Sequence, residues 1–564
     1  MKKQVEILVF SLLFSIPFAF CCAEENKVNL QGPQVFNEWE KAHPPSLQIE
    51  IETGNPGNIF ISGDEIVITV NILNTSKTTH KPKATFKVTD YFNQVVKQGE
   101  KNLSLEEGGN EKWVINLGKE LKGYFTVDII LQENDKIISG KSIYLGVLFP
   151  VEIKDVDNWP FGVDTTCMIR ADKFKETAGD MGKEFTLYNK LGIGWMRIMM
   201  YNVSPQYNEI VKFAQKYNVR ILGSISGDCN AINTDPDFPG NYAQAVKQCV
   251  KKYKDYIRYW EIWNEPDLKG FFNGTPEQYF EMLKSGYEVI KSQGKNLKVL
   301  IGALCALGHQ NYRSIYGTES PFDEKLLALN AQKYWDILNF HSYPADKLYR
   351  ESVPIRQKVL DKAGCDTSFW LTETGGGRLF YWYEVDWSDG KEVCWTHNDI
   401  PLEDAKQKQI KDYQFTARHV VRSYCYFSSI KMTKYFWFLF RSIWKELYDP
   451  KGYWTGLVRP DYSPFPVFVA YNTLIYQLGN AKYHSSRNLS DSQAYNFTKD
   501  NQYITVAWNN KQQDTLKITN PANIMSVVDA MGNNIKDKIK NNLLEVGNDA
   551  VFIQCKDNFV AFDK

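Results

Sequence analysis

The sequence predicts an α/β protein: a (β/α)8 TIM barrel flanked by an N-terminal β-sandwich and a small C-terminal β domain. Three observations predict it. Apolar and polar positions alternate from about Leu47 to Phe149. From near Trp159, short apolar runs alternate with stretches of helical periodicity, the pattern of repeated βα units and a parallel sheet. After about residue 480 the two-residue alternation returns. A chain of 564 residues has room for about three domains at roughly 100–200 residues each, and one barrel alone takes about 250.

The first element is a targeting segment. Lys2 and Lys3 precede an apolar run from Ile7 to Phe20, followed by Cys21-Cys22-Ala23. This reads as a secretory signal peptide over residues 1–23, cut after Ala23. The run is short for a transmembrane helix, so an uncleaved anchor is the competing reading. A third reading is a lipid anchor at Cys21 or Cys22, although Phe18-Ala19-Phe20 matches a lipoprotein signal poorly. The mature protein is expected to be secreted, periplasmic or at the cell surface. Residues 24–46, containing His43-Pro44-Pro45, read as a linker.

Residues 47–150 form the expected Ig-like sandwich. Ile66, Ile68, Val70 and Ile72 share one face, and Phe86, Val88 and the run Tyr124 to Ile129 behave similarly. The barrel is assigned to 151–478, with strands at 161–165, 194–198, 220–226, 258–264, 298–304, 335–341, 368–373 and 434–440. Phe185, Tyr188 and Leu191 fall at helical spacing, as do Ile210, Phe213, Ala214 and Tyr217. Thr275-Pro276-Glu277-Gln278 is a helix start, with Thr as cap, Pro in the first turn and Gln three residues on. Residues 479–564 form the expected C-terminal β-sandwich domain.

Composition narrows the partners. Lys plus Arg and Asp plus Glu each number 66, so no global field attracts nucleic acid. An aromatic content of 14% supplies flat apolar faces. A neutral poly- or oligosaccharide fits this balance. Eight cysteines follow the signal, scattered and without CxxC spacing, and the seven histidines show no metal-ligand spacing. No cofactor and no metal are expected. A Cys229–Cys249 disulfide is conceivable, but spacing does not determine pairing.

Barrel enzymes place reactive groups at the C-terminal ends of their strands. Strand 2 ends with Arg197. Strand 4 ends Glu261-Ile262-Trp263-Asn264-Glu265-Pro266, strand 6 ends His341-Ser342-Tyr343, strand 7 ends Thr372-Glu373-Thr374-Gly375, and strand 8 carries Trp437. Cleaving a glycosidic bond needs one carboxylic acid to protonate the leaving oxygen. It also needs a second carboxylate to attack the anomeric carbon or to activate water. Glu265 and Glu373 are the candidate pair. Their environments must hold one protonated and the other ionised, and a cation such as Arg197 beside the nucleophile lowers its pKa. Asn264 is a donor for a sugar hydroxyl and Trp437 a face for a sugar ring, with His341 and Tyr343 completing the candidate substrate site. Against these stand blander roles. Arg197 could be a barrel ion-pair partner, and His341, Tyr343 and Trp437 core or rim residues. Glu261, by strand parity on one face with Trp263 and Glu265 but deeper, reads as a salt-bridged structural residue. Gly375-Gly376-Gly377 lacks the Lys and helix start of a phosphate cradle.

Trp263-Asn264-Glu265-Pro266 resembles the Asn-Glu-Pro signature of the clan A retaining glycoside hydrolases, where the Glu is the general acid/base. Leu371-Thr372-Glu373-Thr374-Gly375 resembles the strand 7 motif of that clan, where the Glu is the nucleophile. Arg197, His341, Tyr343 and Trp437 fall where the clan keeps supporting residues. The segment from Gly456-Leu457-Val458-Arg459-Pro460-Asp461 to Tyr471 resembles the stretch after its barrels. The resemblance covers about residues 159–475 and implies double displacement with retention, with β-xylosidase-like exo-acting branches nearest in layout. Residues 375–400, with Tyr381, Trp382, Tyr383, Trp387 and Trp395, depart from the pattern and read as an aromatic insertion that builds subsites or packs on itself. Retention implies carboxyl groups about 5–5.5 Å apart, and inversion up to about 9.5 Å. The alternatives on the same barrel are a non-hydrolytic surface glycan-binding protein and a transglycosylase. Another is a structural envelope protein whose β domains carry the function.

Overall fold

The computed structural model describes residues 45–165, 180–228, 230–235, 237–268, 270–305, 322–343, 369–375, 382–385, 392–395, 402–442, 456–510 and 513–563, with short pieces between 354 and 364. The expected signal peptide, Cys21, Cys22 and nearly all of the expected linker lie outside the described residues, as does Cys229. Cys249 is a free, buried thiol. Among the described residues no helix is long and apolar enough to cross a membrane.

Eight strands form one sheet. They are β1 (Phe161–Asp164), β2 (Trp195–Met200), β3 (Arg220–Ile225), β4 (Tyr259–Ile262), β5 (Lys298–Ile301), β6 (Leu338–His341), β7 (Phe369–Thr374) and β8 (Met432–Trp437). Hydrogen bonding orders them β5-β4-β3-β2-β1-β8-β7-β6. The pairs β2–β3, β3–β4, β4–β5 and β6–β7 are parallel. Parallel bridges Leu300–Ile337 and Leu304–Phe340 join the two ends of the sheet, which closes it into a barrel. Each expected strand overlaps an observed one.

Local chemistry sets the helices between the strands. α1 (Met181–Leu191) is capped by Asp180, which accepts from the Lys183 amide, and stops at Gly192 with φ 90°. α2 (Pro205–Lys216) follows the cap Ser204, and α3 (Phe238–Tyr253) has Pro in its first turn. α4 (Pro276–Gln293) carries a complete capping box: Thr275 Oγ1 accepts from the Gln278 amide and Gln278 Oε1 from the Thr275 amide. Two helices follow the later strands, α5 (Leu402–Ser428) and α6 (Pro466–Leu478).

The chain divides into two compact units. Among the described residues, one holds Trp195–Thr374 with Ile430–Phe436; the other holds those before Trp195, Gly375–Ser429 and Trp437–Lys564. The division cuts across the 151–478 segment that the sequence assigns to one barrel. The reason lies in the second unit, where α5 is tied to the C-terminal β domain. Arg418 pairs with Asp549 at 3.0 Å, Arg422 donates to the Asn509 carbonyl, and the Tyr426 hydroxyl donates to Gln493 at 2.6 Å.

Within that second unit, the N-terminal region is two sheets over one core. A three-stranded sheet contains Ile66–Asn74, and a five-stranded sheet contains Gly123–Glu133 and Lys136–Leu148. Ile66, Ile68, Val70 and Ile72 from the first meet Val127, Ile129 and Leu131 from the second. The C-terminal region is a five-stranded antiparallel sheet, from Lys482–Leu489 to Ile524–Asp529, plus a two-stranded one. In the segment after β8, Arg459 is buried with its guanidinium 3.6 Å from the Tyr144 ring and 4.2 Å from that of Phe465, a cation–π cage. In the loop after Glu373, the backbones of Trp382–Val385 and Glu392–Trp395 pair antiparallel.

The capping box generates a stability prediction. Thr275→Ala removes the hydroxyl that the Gln278 amide requires and lowers the stability of the barrel unit by about 1 kcal/mol, read as a lower urea midpoint. Thr275→Asp, which restores an acceptor, returns the midpoint to within a few tenths of a kcal/mol.

Candidate active site

β4 ends at Ile262, and the next residues leave strand geometry. Trp263 has φ 73° and Glu265 φ 46°, left-handed values that are rare and strained for residues with a side chain. Two tyrosines hold the turn. Tyr279 on α4 donates its hydroxyl to the Ile262 carbonyl at 2.8 Å and accepts from the Gly302 amide at 2.8 Å. Tyr242 on α3 donates to the Ile225 carbonyl at 2.8 Å. A Cβ at Gly302 would lie 2.6 Å from the Ile262 carbonyl oxygen and 3.0 Å from that of Trp263, so only glycine fits there. The left-handed residue also corrects the parity reading. Trp263 does not share a face with Glu261 and Glu265. Its ring packs among Phe238, Tyr242 and Phe272, and its indole N–H donates to the Phe271 carbonyl at 3.0 Å.

The barrel interior rises in layers. The rings of Trp195, Tyr259, Trp370 and Phe436 form one aromatic cluster, with centroids 5.0–6.1 Å apart. Two residues further along their strands, on the same face, come Arg197, Glu261 and Thr372. Arg197 is fully buried. Its Nε donates to Glu261 at 2.7 Å, one terminal nitrogen to Glu373 Oε1 at 2.5 Å and the other to Asn264 Oδ1 at 2.6 Å. Glu261 also accepts from the Asn339 amide at 2.8 Å and from the Ala303 backbone at 3.1 Å. Arg197 is thus both a barrel ion-pair partner and a neighbour of the candidate pair.

Above this layer stand the two carboxyls, both buried. Glu373 Oε2 accepts a short hydrogen bond from the Tyr343 hydroxyl. Glu265 Oε1 lies 2.7 Å from His341 Nδ1 and 2.7 Å from the Cys305 thiol. His341 Nδ1 is also 3.6 Å from Glu373 Oε2. Laid end to end, the two imidazole contacts limit the gap between Glu265 Oε1 and Glu373 Oε2 to at most about 6.3 Å. Burial, then the Glu373 charge, pushes Glu265 well above the usual carboxylate range. Burial also raises Glu373, but Arg197 and the Tyr343 hydroxyl pull it back. Arg197 therefore acts in the expected direction without bringing Glu373 below its ordinary value, and the two carboxyls separate because Glu265 is pushed higher. Burial, then Arg197, holds His341 well below the ordinary imidazole value, which favours the neutral ring.

Arg197, Asn264, Glu265, His341, Tyr343 and Glu373 come together in one network. Trp437 does not enter that network among the described residues. It is fully buried, with its ring 6.1 Å from His419 and 6.4 Å from Tyr471. Sequence reading missed four members: Cys305, Asp267, Asn339 and Thr372. Asp267 accepts from the Cys305 backbone amide at 3.0 Å and follows the Asn-Glu-Pro motif by one residue. Thr372 was hidden by an irregularity. His341 pairs with Glu373, so β7 carries one extra residue there, and Thr372 and Glu373 both face the network although they are adjacent. Glu265, Cys305 and His341 place three metal-capable atoms within 4.8 Å of one another, which separations of 36 and 40 residues in the chain did not reveal. Hydrogen bonds already account for these atoms.

No family model matches the chain, and no curated protein matches it. Among solved structures it is similar to a family 39 glycoside hydrolase from Bacteroides cellulosilyticus WH2, at 18% identity and TM-score 0.64, over 90% of this chain and 100% of that one. It also aligns with a Bacteroides uniformis β-glucuronidase at 11% identity and TM-score 0.39, over 90% of this chain and 58% of that one. An Eisenbergiella tayi GH2 β-galacturonidase aligns at 14% identity and TM-score 0.38, over 77% of this chain and 73% of that one. The first likeness shows a shared fold; the other two are too distant to carry an argument.

The Arg197 hub yields a second prediction. Arg197→Met leaves Glu261 and Glu373 buried without their cation and costs about 3–5 kcal/mol, read as a lowered denaturation midpoint. Adding Glu261→Gln to that variant removes one of the uncompensated charges and recovers part of the loss.

Proposed function

We propose that the protein is a retaining glycoside hydrolase that cleaves β-glycosidic bonds in poly- or oligosaccharides, with Glu265 as general acid/base and Glu373 as nucleophile. One observation carries this reading. Two buried carboxyls, with oxygens at most about 6.3 Å apart, sit in opposite environments. Glu373 receives Arg197 and Tyr343, which favour its carboxylate. Glu265 receives no contact from Arg197 in this network and is raised further. That upper limit is compatible with a double displacement, which needs carboxyl groups about 5–5.5 Å apart. The shared fold with a family 39 glycoside hydrolase agrees with it.

In the first step the Glu265 carboxyl gives its proton to the leaving glycosidic oxygen. The Glu373 carboxylate attacks the anomeric carbon from the opposite face, the carbon–oxygen bond breaks, and a glycosyl ester forms. Glu265, now a carboxylate, takes a proton from water, whose oxygen attacks the same carbon and releases Glu373. Arg197 offsets the charge of Glu373 as it is regenerated, and the Tyr343 hydroxyl donates to it. Asn264, with its Oδ1 taken by Arg197, keeps its NH2 as a donor to a sugar hydroxyl. A signal peptide over residues 1–23 and export, with or without a lipid anchor at Cys21 or Cys22, fit a glycan substrate outside the cytoplasm.

A panel of aryl β-glycosides (xyloside, glucoside, galactoside, mannoside, fucoside and arabinoside) tests the proposal. Wild type is expected to turn over at least one, and Glu373→Ala to lose several orders of magnitude. Glu265→Ala should lose on the order of 10²–10⁴-fold on substrates with poor leaving groups and far less with a dinitrophenyl leaving group. The pH profile of kcat/KM should be bell-shaped: activity rises as Glu373 ionises and falls as Glu265 loses its proton. A folded wild type that turns over no glycoside, including longer chains, contradicts the proposal and favours a glycan-binding role. Transfer of the sugar to an added acceptor in preference to water would make it a transglycosylase.

A further inference from the structure

We propose that a buried hydrogen-bond wire, Glu261–Asn339–Thr372–His341, fixes the imidazole tautomer and thereby holds the proton on Glu265. The inference deepens the acid/base assignment and rests on it only for its kinetic consequence. The chain of donors and acceptors allows one solution. Glu261 collects three donors: Arg197 Nε at 2.7 Å, the Ala303 amide at 3.1 Å and Asn339 Nδ2 at 2.8 Å. It is an acceptor, so the Asn339 amide must turn its NH2 toward it, and the reverse orientation would set oxygen against oxygen. Asn339 Oδ1 then faces Thr372 and accepts its hydroxyl proton at 2.7 Å. That hydroxyl has one proton, already committed, so toward His341 Nε2 at 3.1 Å it can only accept. His341 therefore carries its proton on Nε2. Its Nδ1 is a lone pair, 2.7 Å from Glu265 Oε1. A lone pair facing a carboxylate is repulsive, whereas a carboxylic acid donates to it. The same oxygen, once protonated, still accepts from the Cys305 thiol at 2.7 Å, so each atom has a consistent role.

The surroundings of the Glu265–His341 contact agree. From β2 comes Arg197, from β4 Glu261, from β7 Glu373, from the end of β6 Tyr343, and from the turns after β4 and β5 Asp267 and Cys305. Glu373 and Asp267 both disfavour a second negative charge on Glu265, and Arg197 disfavours a positive one on His341. Thr372 and Asn339 touch neither carboxyl of the pair in this network. They act through His341 and are positioning residues. The irregularity in β7 has a function in this account: it lets Thr372 reach His341 while Glu373, the next residue, reaches Arg197.

The test uses infrared difference spectra of the full chain at neutral pH, wild type minus Glu265→Gln. The protonated carboxyl of Glu265 is expected to give a carbonyl band in wild type. Thr372→Val keeps the shape but removes the hydroxyl, freeing the ring to place its proton on Nδ1, and should abolish the band. Thr372→Ser should restore it. In kinetics, Thr372→Val should move the alkaline limb of kcat/KM toward acid. It should also approach the ~10²-fold loss of a missing general acid on poor leaving groups while sparing dinitrophenyl glycosides. A merely structural role would lower all substrates alike and leave the pH profile in place. Absence of the band in wild type, or its persistence in folded Thr372→Val, overturns the wire whatever the activity. A wild-type band without turnover of any glycoside upholds the wire and removes the hydrolase reading instead.

Discussion

One buried guanidinium organises the site. Arg197 is fully enclosed and reaches Glu261, Glu373 and Asn264 at once. A single positive charge cannot offset the three carboxyls of Glu261, Glu373 and Glu265 in a low-dielectric interior, where an unpaired charge is expensive. A neutral carboxyl is favoured where that cation makes no contact. Glu265 is the one that Arg197 does not contact in this network, and the chain's hydrogen bonds give its proton a destination on His341. In the proposed reaction, the division of labour between two chemically identical side chains follows from where one cation sits in the barrel, as in other sites where environment assigns acid and base.

That arrangement depends on a backbone that would not hold itself. Trp263 and Glu265 occupy left-handed conformations, each costing of order 1–3 kcal/mol. The cost is offset outside the site: Trp263 fills a hydrophobic slot among Phe238, Tyr242 and Phe272, Tyr242 and Tyr279 secure the strand ends, and Gly302 lets β5 pass close to the turn. Strain, aromatic packing and a required glycine form one construction that presents Glu265. Substitutions at Tyr279 or Gly302 are expected to act on the proposed acid without touching it.

Much of this was legible in the sequence. All eight strands were readable because each is a short apolar run between helical stretches. The α4 start was readable because Thr275 and Gln278 satisfy backbone groups reciprocally. The strand ends delivered Arg197, Asn264, Glu265, His341, Tyr343 and Glu373 because a barrel gathers the ends of its strands on one face. What stayed hidden depends on departures from ideal periodicity or on contacts distant in the chain. Strict parity misplaced Trp263, since a left-handed residue reverses the face. The extra residue in β7 concealed Thr372. Cys305 meets Glu265 only because β4 and β5 are neighbours, and no local motif announces it. Trp437, placed by position on β8, is enclosed beside His419 and Tyr471, an environment the strand pattern did not specify.

The central claim is that Glu373 is the carboxylate left free to attack. The most direct measurement is covalent trapping. The protein is incubated with the 2-deoxy-2-fluoro dinitrophenyl glycoside of whichever sugar it turns over, digested, and the labelled peptide sequenced by mass spectrometry. The account predicts one fluoroglycosyl ester, on Glu373, formed by wild type and by Glu265→Gln and absent from Glu373→Gln. A label on Glu265, or prompt release of dinitrophenol without any ester together with an inverted product, would contradict it.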